Sequence, residues 1–144
     1  MKKVLILFLL AALACRATAQ ESTNPADTIL VGSIEKNCPG GFEAFNNYIM
    51  KNVHPPAIAY ENRKVGTTYV SFIIEPDGSV SNVCTILAVG FGMDEEAKRV
   101  ISKSNNWIPA TIDNKPVRCF CRAAIQFFGD FDKHQMWIRA KRID

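Results

Sequence analysis

Gly66-Thr67-Thr68-Tyr69-Val70-Ser71-Phe72-Ile73-Ile74-Glu75-Pro76-Asp77-Gly78-Ser79-Val80 is the stretch on which the fold turns. Its first part alternates. Thr68, Val70, Phe72 and Ile74 fall on one side, and Thr67, Tyr69, Ser71 and Ile73 on the other. A period of two predicts a strand over Gly66–Glu75 with the first set toward a core. Glu75-Pro76-Asp77-Gly78 is a tight turn, in which Asp-Gly is expected to supply the positive φ angles of a hairpin. Ser79–Leu87 is the return strand.

Outward from this hairpin the period changes. Phe42, Phe45, Ile49 and Val53 recur at helical spacing, with Glu43, Asn46, Asn47 and Lys51 between them. That predicts an amphipathic helix over Phe42–Val53, opened after Cys38-Pro39-Gly40-Gly41 and closed before Pro55-Pro56. On the other side, Met93–Ile101 begins a second helix. Asp94 is read as its N-cap, and Glu95 and Glu96 suit the positive end of the helix dipole. That placement accounts for the three acids without metal or acid–base chemistry. Trp107 is expected to plug the core, Asp113-Asn114-Lys115 to turn, and Val117–Phe128 to form the last strand. The tail, residues 129–144, reads equally as a short helix or an extra strand.

The order is helix, strand, strand, helix, strand, an α+β pattern. A hairpin followed by a helical crossover predicts a three-stranded antiparallel sheet in the order 2-1-3 with two helices on one face. The last strand would then be an edge, with unpaired N–H and C=O groups open to an extended peptide.

The N-terminus sets the compartment. Lys2 and Lys3 precede an apolar run from Val4 to Ala14, and Ala17-Thr18-Ala19 offers small residues for cleavage. The run is too short for a membrane-spanning helix, which needs about 20 residues. The expectation is a signal peptide over residues 1–19 and a periplasmic product. The alternative is cleavage before Cys15 and a lipid anchor. Of 17 basic and 14 acidic residues, Lys2, Lys3 and Arg16 leave with the signal, so 14 of each remain. A chain with no net charge lacks the phosphate-neutralising surplus of nucleic-acid binders. The remainder suits one domain, with a lead over residues 20–37, the domain over 38–128 and the tail beyond.

Four cysteines remain: Cys38, Cys84, Cys119 and Cys121. An even number in an exported chain favours disulfides, and all three pairings stay open. Cys119 and Cys121 share one strand face about 6.5–7 Å apart, at the limit of a bridge. A thiol–redox pair normally has two intervening residues, not one. His54 and His134 sit in no ligand-spaced motif. The chain is therefore read as no enzyme, with no catalytic residue, metal or small-molecule cofactor.

Several landmarks together resemble the C-terminal domain of TonB in its Bacteroidetes type. They are Cys38-Pro39-Gly40-Gly41-Phe42, Asn52-Val53-His54-Pro55, the strand Val65–Phe72 with Pro76-Asp77-Gly78, Met93–Val100, Trp107-Ile108-Pro109 and Asn114-Lys115-Pro116-Val117. The resemblance covers residues 38–128 and departs at His54, where the family has Tyr. It implies a helix-strand-strand-helix-strand domain that captures a transporter's N-terminal box segment as an added strand on the last strand. The implied contacts are Val117, Arg118, Phe120, Arg122, Ala124 and Gln126. The implied partner is an outer-membrane TonB-dependent transporter or another envelope protein, in TonB-dependent transport. Full TonB proteins carry a membrane helix and a long Pro-rich span before this domain. Here a signal and a short lead precede it, which implies a domain that does not couple to a motor. The alternative is a free-standing, disulfide-stabilised envelope module that self-associates, a homodimer included.

Overall fold

The computed structural model describes residues 28–143. The expected signal peptide, its cleavage site and Cys15 lie outside the described residues. Ten elements are arranged in order: β1 (Ile29–Val31), α1 (Ile34–Asn37), α2 (Gly41–Asn52), α3 (Ala57–Glu61), β2 (Gly66–Ile74), β3 (Val80–Leu87), α4 (Met93–Lys103), β4 (Ala110–Ile112), β5 (Lys115–Asp130) and β6 (Gln135–Lys141).

The sheet has six strands, not three. Its main path is β1-β5-β2-β3, and β4 and β6 also pair with β5. β2 and β5 run antiparallel through nine consecutive pairs, from Gly66↔Phe127 to Ile74↔Cys119, without a slip. Alternation along this ladder sorts the side chains. Thr68, Val70, Phe72 and Ile74 are fully buried, as are Cys119, Cys121 and Ile125 on the same face. Phe45, Ile49 and Val53 at α2 and Met93, Ala97, Val100 and Ile101 of α4 join them in one core. Both long helices therefore cover the same face of the sheet.

Trp107 closes the core at one end, with its ring 5.2 Å from Phe72 and 5.9 Å from Phe45. Its indole N–H donates to Ser104 Oγ at 2.9 Å, so no buried donor is left over. Gly78 lies directly under this segment. A Cβ there would stand 2.6 Å from the Trp107 carbonyl oxygen, and its φ is +81°, so glycine is required twice over. The β2–β3 turn is not the mirror-image type expected from Asp-Gly. Only Gly78 has positive φ there. Pro76 holds its own φ negative, and the turn closes through Gly78 N–H to Glu75 O at 2.9 Å.

Asp94 is not the N-cap of α4. That position is Gly92. Asp94 sits inside the first turn and is buried. Its carboxylate accepts from the Thr68 hydroxyl at 2.6 Å, from Val89 N–H at 3.0 Å and from Gly90 N–H at 2.6 Å. It thereby ties α4 to β2 and to the loop after β3. Burial works to raise the Asp94 carboxyl, but the Thr68 hydroxyl and the two N–H groups outweigh it and hold the group below its ordinary value.

The packing makes two stability predictions. Phe127→Ala empties a site that is 1% exposed and should cost about 3–5 kcal/mol in a denaturant melt. Because its folded pKa is depressed, Asp94 contributes stability that is full above about pH 4 and is lost as pH falls through the folded value. Asp94→Asn should lower stability at pH 7 by about 1–3 kcal/mol and flatten this acid limb of a stability–pH curve.

Candidate functional site

The sequence points to β5 as a free docking edge, and the structure corrects this. β5 is the interior strand of the sheet. β2 lies along one side. On the other side, β1 pairs in parallel with Arg118–Phe120 and β6 pairs antiparallel with Ala124–Asp130. The physical reason lies in two segments outside the recognised motifs. The lead supplies Ile29–Val31. The tail turns through Phe131–His134, with His134 at φ +54°, and returns as a strand.

The six expected contact residues divide accordingly. Val117 is 2% exposed and pairs with Ala110 of β4. Ala124 is 1% exposed and pairs with Lys141 of β6. Gln126 pairs with Arg139, whose Nε–H donates to its amide oxygen at 2.9 Å. Arg118, Phe120 and Arg122 remain, on the sheet face away from the helices. Arg118 donates to both carboxylate oxygens of Glu75 at 3.1 Å. Ser81 hydroxyl also donates to Glu75. That hydroxyl, and then Arg118, hold the Glu75 carboxyl below its usual range. Among the described residues, Arg122 has no ion-pair partner.

The flank formed by β1 and β6 is interrupted. β1 stops opposite Phe120 and β6 ends opposite Ala124, so Cys121–Ala123 have no strand beside them there. β1 itself is slight. It has three residues, Ile29 and Val31 are 45% and 82% exposed, and none of the three joins the core. It is prolonged only by Gly32 N–H donating to Phe120 O at 2.9 Å. The segment after β1 is held more firmly. Asn37 accepts from Ser33 N–H at 2.9 Å and donates to Ile108 O at 2.7 Å, which pins α1 to the segment before β4.

Gly32 is the lid over a thiol pair. A Cβ at this position would collide with the Sγ atoms of Cys119 and Cys121 and with Asn37 Oδ1. Burial, and then the neighbouring Cys119, push the Cys121 thiol up, which disfavours a reactive thiolate. The disulfides expected from sequence are absent among the described residues: Cys38, Cys84, Cys119 and Cys121 are all free thiols. Cys84 pairs with Ser71, on the face opposite Cys119 and Cys121, so the sheet separates them.

β3 is the other candidate edge. It pairs with β2 alone. Its register slips twice, and Asn82 has φ +49°. Bulges of this kind bend an edge away from further pairing. His54, in the family's Tyr position, is exposed, and its backbone N–H donates to Glu96 Oε1 at 2.8 Å. Among the described residues no three metal-ligating side chains cluster, and no helix is long and apolar enough to cross a membrane.

Residues 51–128, from the end of α2 to near the end of β5, match the family described as Gram-negative bacterial TonB protein C-terminal. The chain belongs to this family. No curated protein matches it. The TonB C-terminal family serves TonB-type transport in the cell envelope, and its domains interact with outer-membrane transporters. They are transducer domains, not enzymes. The family match stops short of both β1 and β6, so the two strands that flank β5 lie outside it.

Thiol labelling checks the arrangement. In the native protein Cys84 should react fastest and half-buried Cys38 more slowly. Cys119 and Cys121 should react only after denaturation, because both are fully buried. Fast native labelling of Cys119 or Cys121 would contradict the position of β1 and Gly32.

Proposed function

We propose that this domain holds an extended segment of an envelope partner, such as the N-terminal box of an outer-membrane transporter, by strand addition along the β1 side of β5. The single observation that carries this reading is the broken flank on that side: a three-residue strand, then three residues with no strand beside them. The β5 backbone is a regular template, since its ladder with β2 runs nine pairs without a bulge. β3 is bulged and a poorer one.

The guest takes the place of β1. Each backbone hydrogen bond is worth about 0.5–1.5 kcal/mol net, so releasing β1 costs a few kcal/mol at most. The guest remakes those bonds and gains those of Arg122, whose N–H and C=O face the gap because the neighbouring Phe120 carbonyl points to the same side. Gly32 is the hinge, because Ser33 stays bonded to Asn37, which is itself bonded to Ile108. Phe120 and Arg122 then stand beside the guest's side chains, and Arg118 stays engaged with Glu75.

Calorimetric titration of box-type peptides into the mature chain tests the reading. Saturable binding is expected, and N-methylation at alternate guest positions should abolish it. Replacing Ile29–Val31 by Gly-Ser-Gly should tighten binding by up to about tenfold, the equivalent of 1.4 kcal/mol. If no box peptide saturates a folded protein, the reading fails. If binding occurs but is indifferent to β1, the guest sits elsewhere.

A further inference from the structure

Charge around the gap in the flank is lopsided. A cavity of about 240 Å³ opens there, between the end of β1 and the end of β6. At roughly 30 Å³ per water, it has room for a side chain. Arg122, Lys141 and Arg142 line it, with Glu35 the one acid among its lining residues. Glu35 is already engaged: Arg142 Nη1 donates to it at 2.9 Å, and the same guanidinium lies 4.3 Å over the Phe42 ring. Arg122 and Lys141 are exposed and have no ion-pair partner among the described residues. The chain beyond residue 19 has equal numbers of acids and bases, so this surplus is local. Farther along the same face, Arg118 is neutralised by Glu75. The unspent positive charge therefore sits at the Arg122 end of the docking edge and not at the Arg118 end.

From this we infer that the guest is an acidic segment, with a carboxylate that enters the cavity beside Arg122 and Lys141. The inference rests on the strand-addition reading and adds the chemistry and position of one guest side chain. Backbone pairing alone is indifferent to sequence. A charge at one end fixes the register and direction of the added strand, since a slip by one residue turns the carboxylate to the other face. Opposite charge across an interface mainly sets specificity and encounter rate.

The probe is a set of seven-residue peptides of Thr, Val and Ile, carrying Glu at each position in turn, each with its Gln twin. They are titrated into the mature chain at low salt. One position should favour Glu over Gln by about two- to fivefold, the range of an exposed ion pair. The preference should shrink as salt shortens the screening length from about 30 Å toward 8 Å. R122Q and K141Q should each bring the Glu-to-Gln ratio at that position toward one. R118Q should leave the ratio unchanged. Equal affinity of the Glu and Gln twins at every position overturns the inference but leaves strand addition standing. So does a preference that survives both R122Q and K141Q. Failure of every peptide to bind a folded protein removes strand addition and this inference with it.

Discussion

The uninterrupted ladder between β2 and β5 is the constraint on which the rest of this domain depends. Nine pairs in constant register commit one side of each strand to the core. A slip by one residue would expose Phe72, Ile74, Ile125 and Phe127 and bury Tyr69, Ser71, Arg122 and Gln126. Among the described residues, no ion pair offsets such an exchange at Arg122. The register thus specifies where the helices dock, and α2 and α4 both fill the same face. It also leaves the opposite face with its half-exposed aromatic and basic side chains. Phe128 and Trp137 stack there at 5.8 Å, with Arg139 lying 5.1 Å over Phe128.

Local periodicity explains which elements are legible in the sequence. α2 and α4 show apolar positions at helical spacing, and β2 alternates from Thr67 to Phe72 before Ile73 and Ile74 are both buried. These signals are carried by neighbours in sequence. β4 and β6 carry weaker ones. β4 has three residues, and its existence depends on the left-handed Asp113 and Asn114 that turn it onto β5. β6 holds Trp137 and Arg139 outward and Met136, Ile138 and Ala140 toward the core, but charged residues before and after blur the alternation. Its role is fixed by pairing with a strand already partnered on one side, which no local pattern reports. β1 is legible as a short apolar run. Its parallel register with Arg118–Phe120 is not.

The candidate site shows the same division. Alternation along the last strand assigns Arg118, Phe120 and Arg122 to one outward face, and the structure has them there. Whether that strand is an edge depends on residues 29–31 and 135–141, which match no family motif. Asp94 illustrates a related gap. An acid at a helix start has a ready local explanation as a cap. Here it serves instead as a buried acceptor for Thr68 and the loop after β3. The Thr68 hydroxyl on the core face of β2 is the signal in the sequence, since a buried hydroxyl needs a partner. For the cysteines, an exported compartment argues for bridges, but the sheet keeps Cys84 apart from Cys119 and Cys121.

A tethered strand is a demanding competitor, and this bears on what an effective guest must be. β1 is joined to α1 by Gly32 and Ser33 alone, so its effective concentration at β5 is on the order of millimolar or above, as for other short linkers. A free peptide offering only the same three backbone pairs would lose to it at any lower concentration. The guest must gain from what β1 does not use. On the β1 side, Cys121–Ala123 of β5 have no strand beside them, and two cations next to them have no ion-pair partner among the described residues. β1 offers neither a carboxylate nor the length to reach them. Backbone pairing at Arg122 and charge at the rim of the gap are therefore the two terms by which a foreign segment can displace the domain's own strand, and both lie at the same end of the edge.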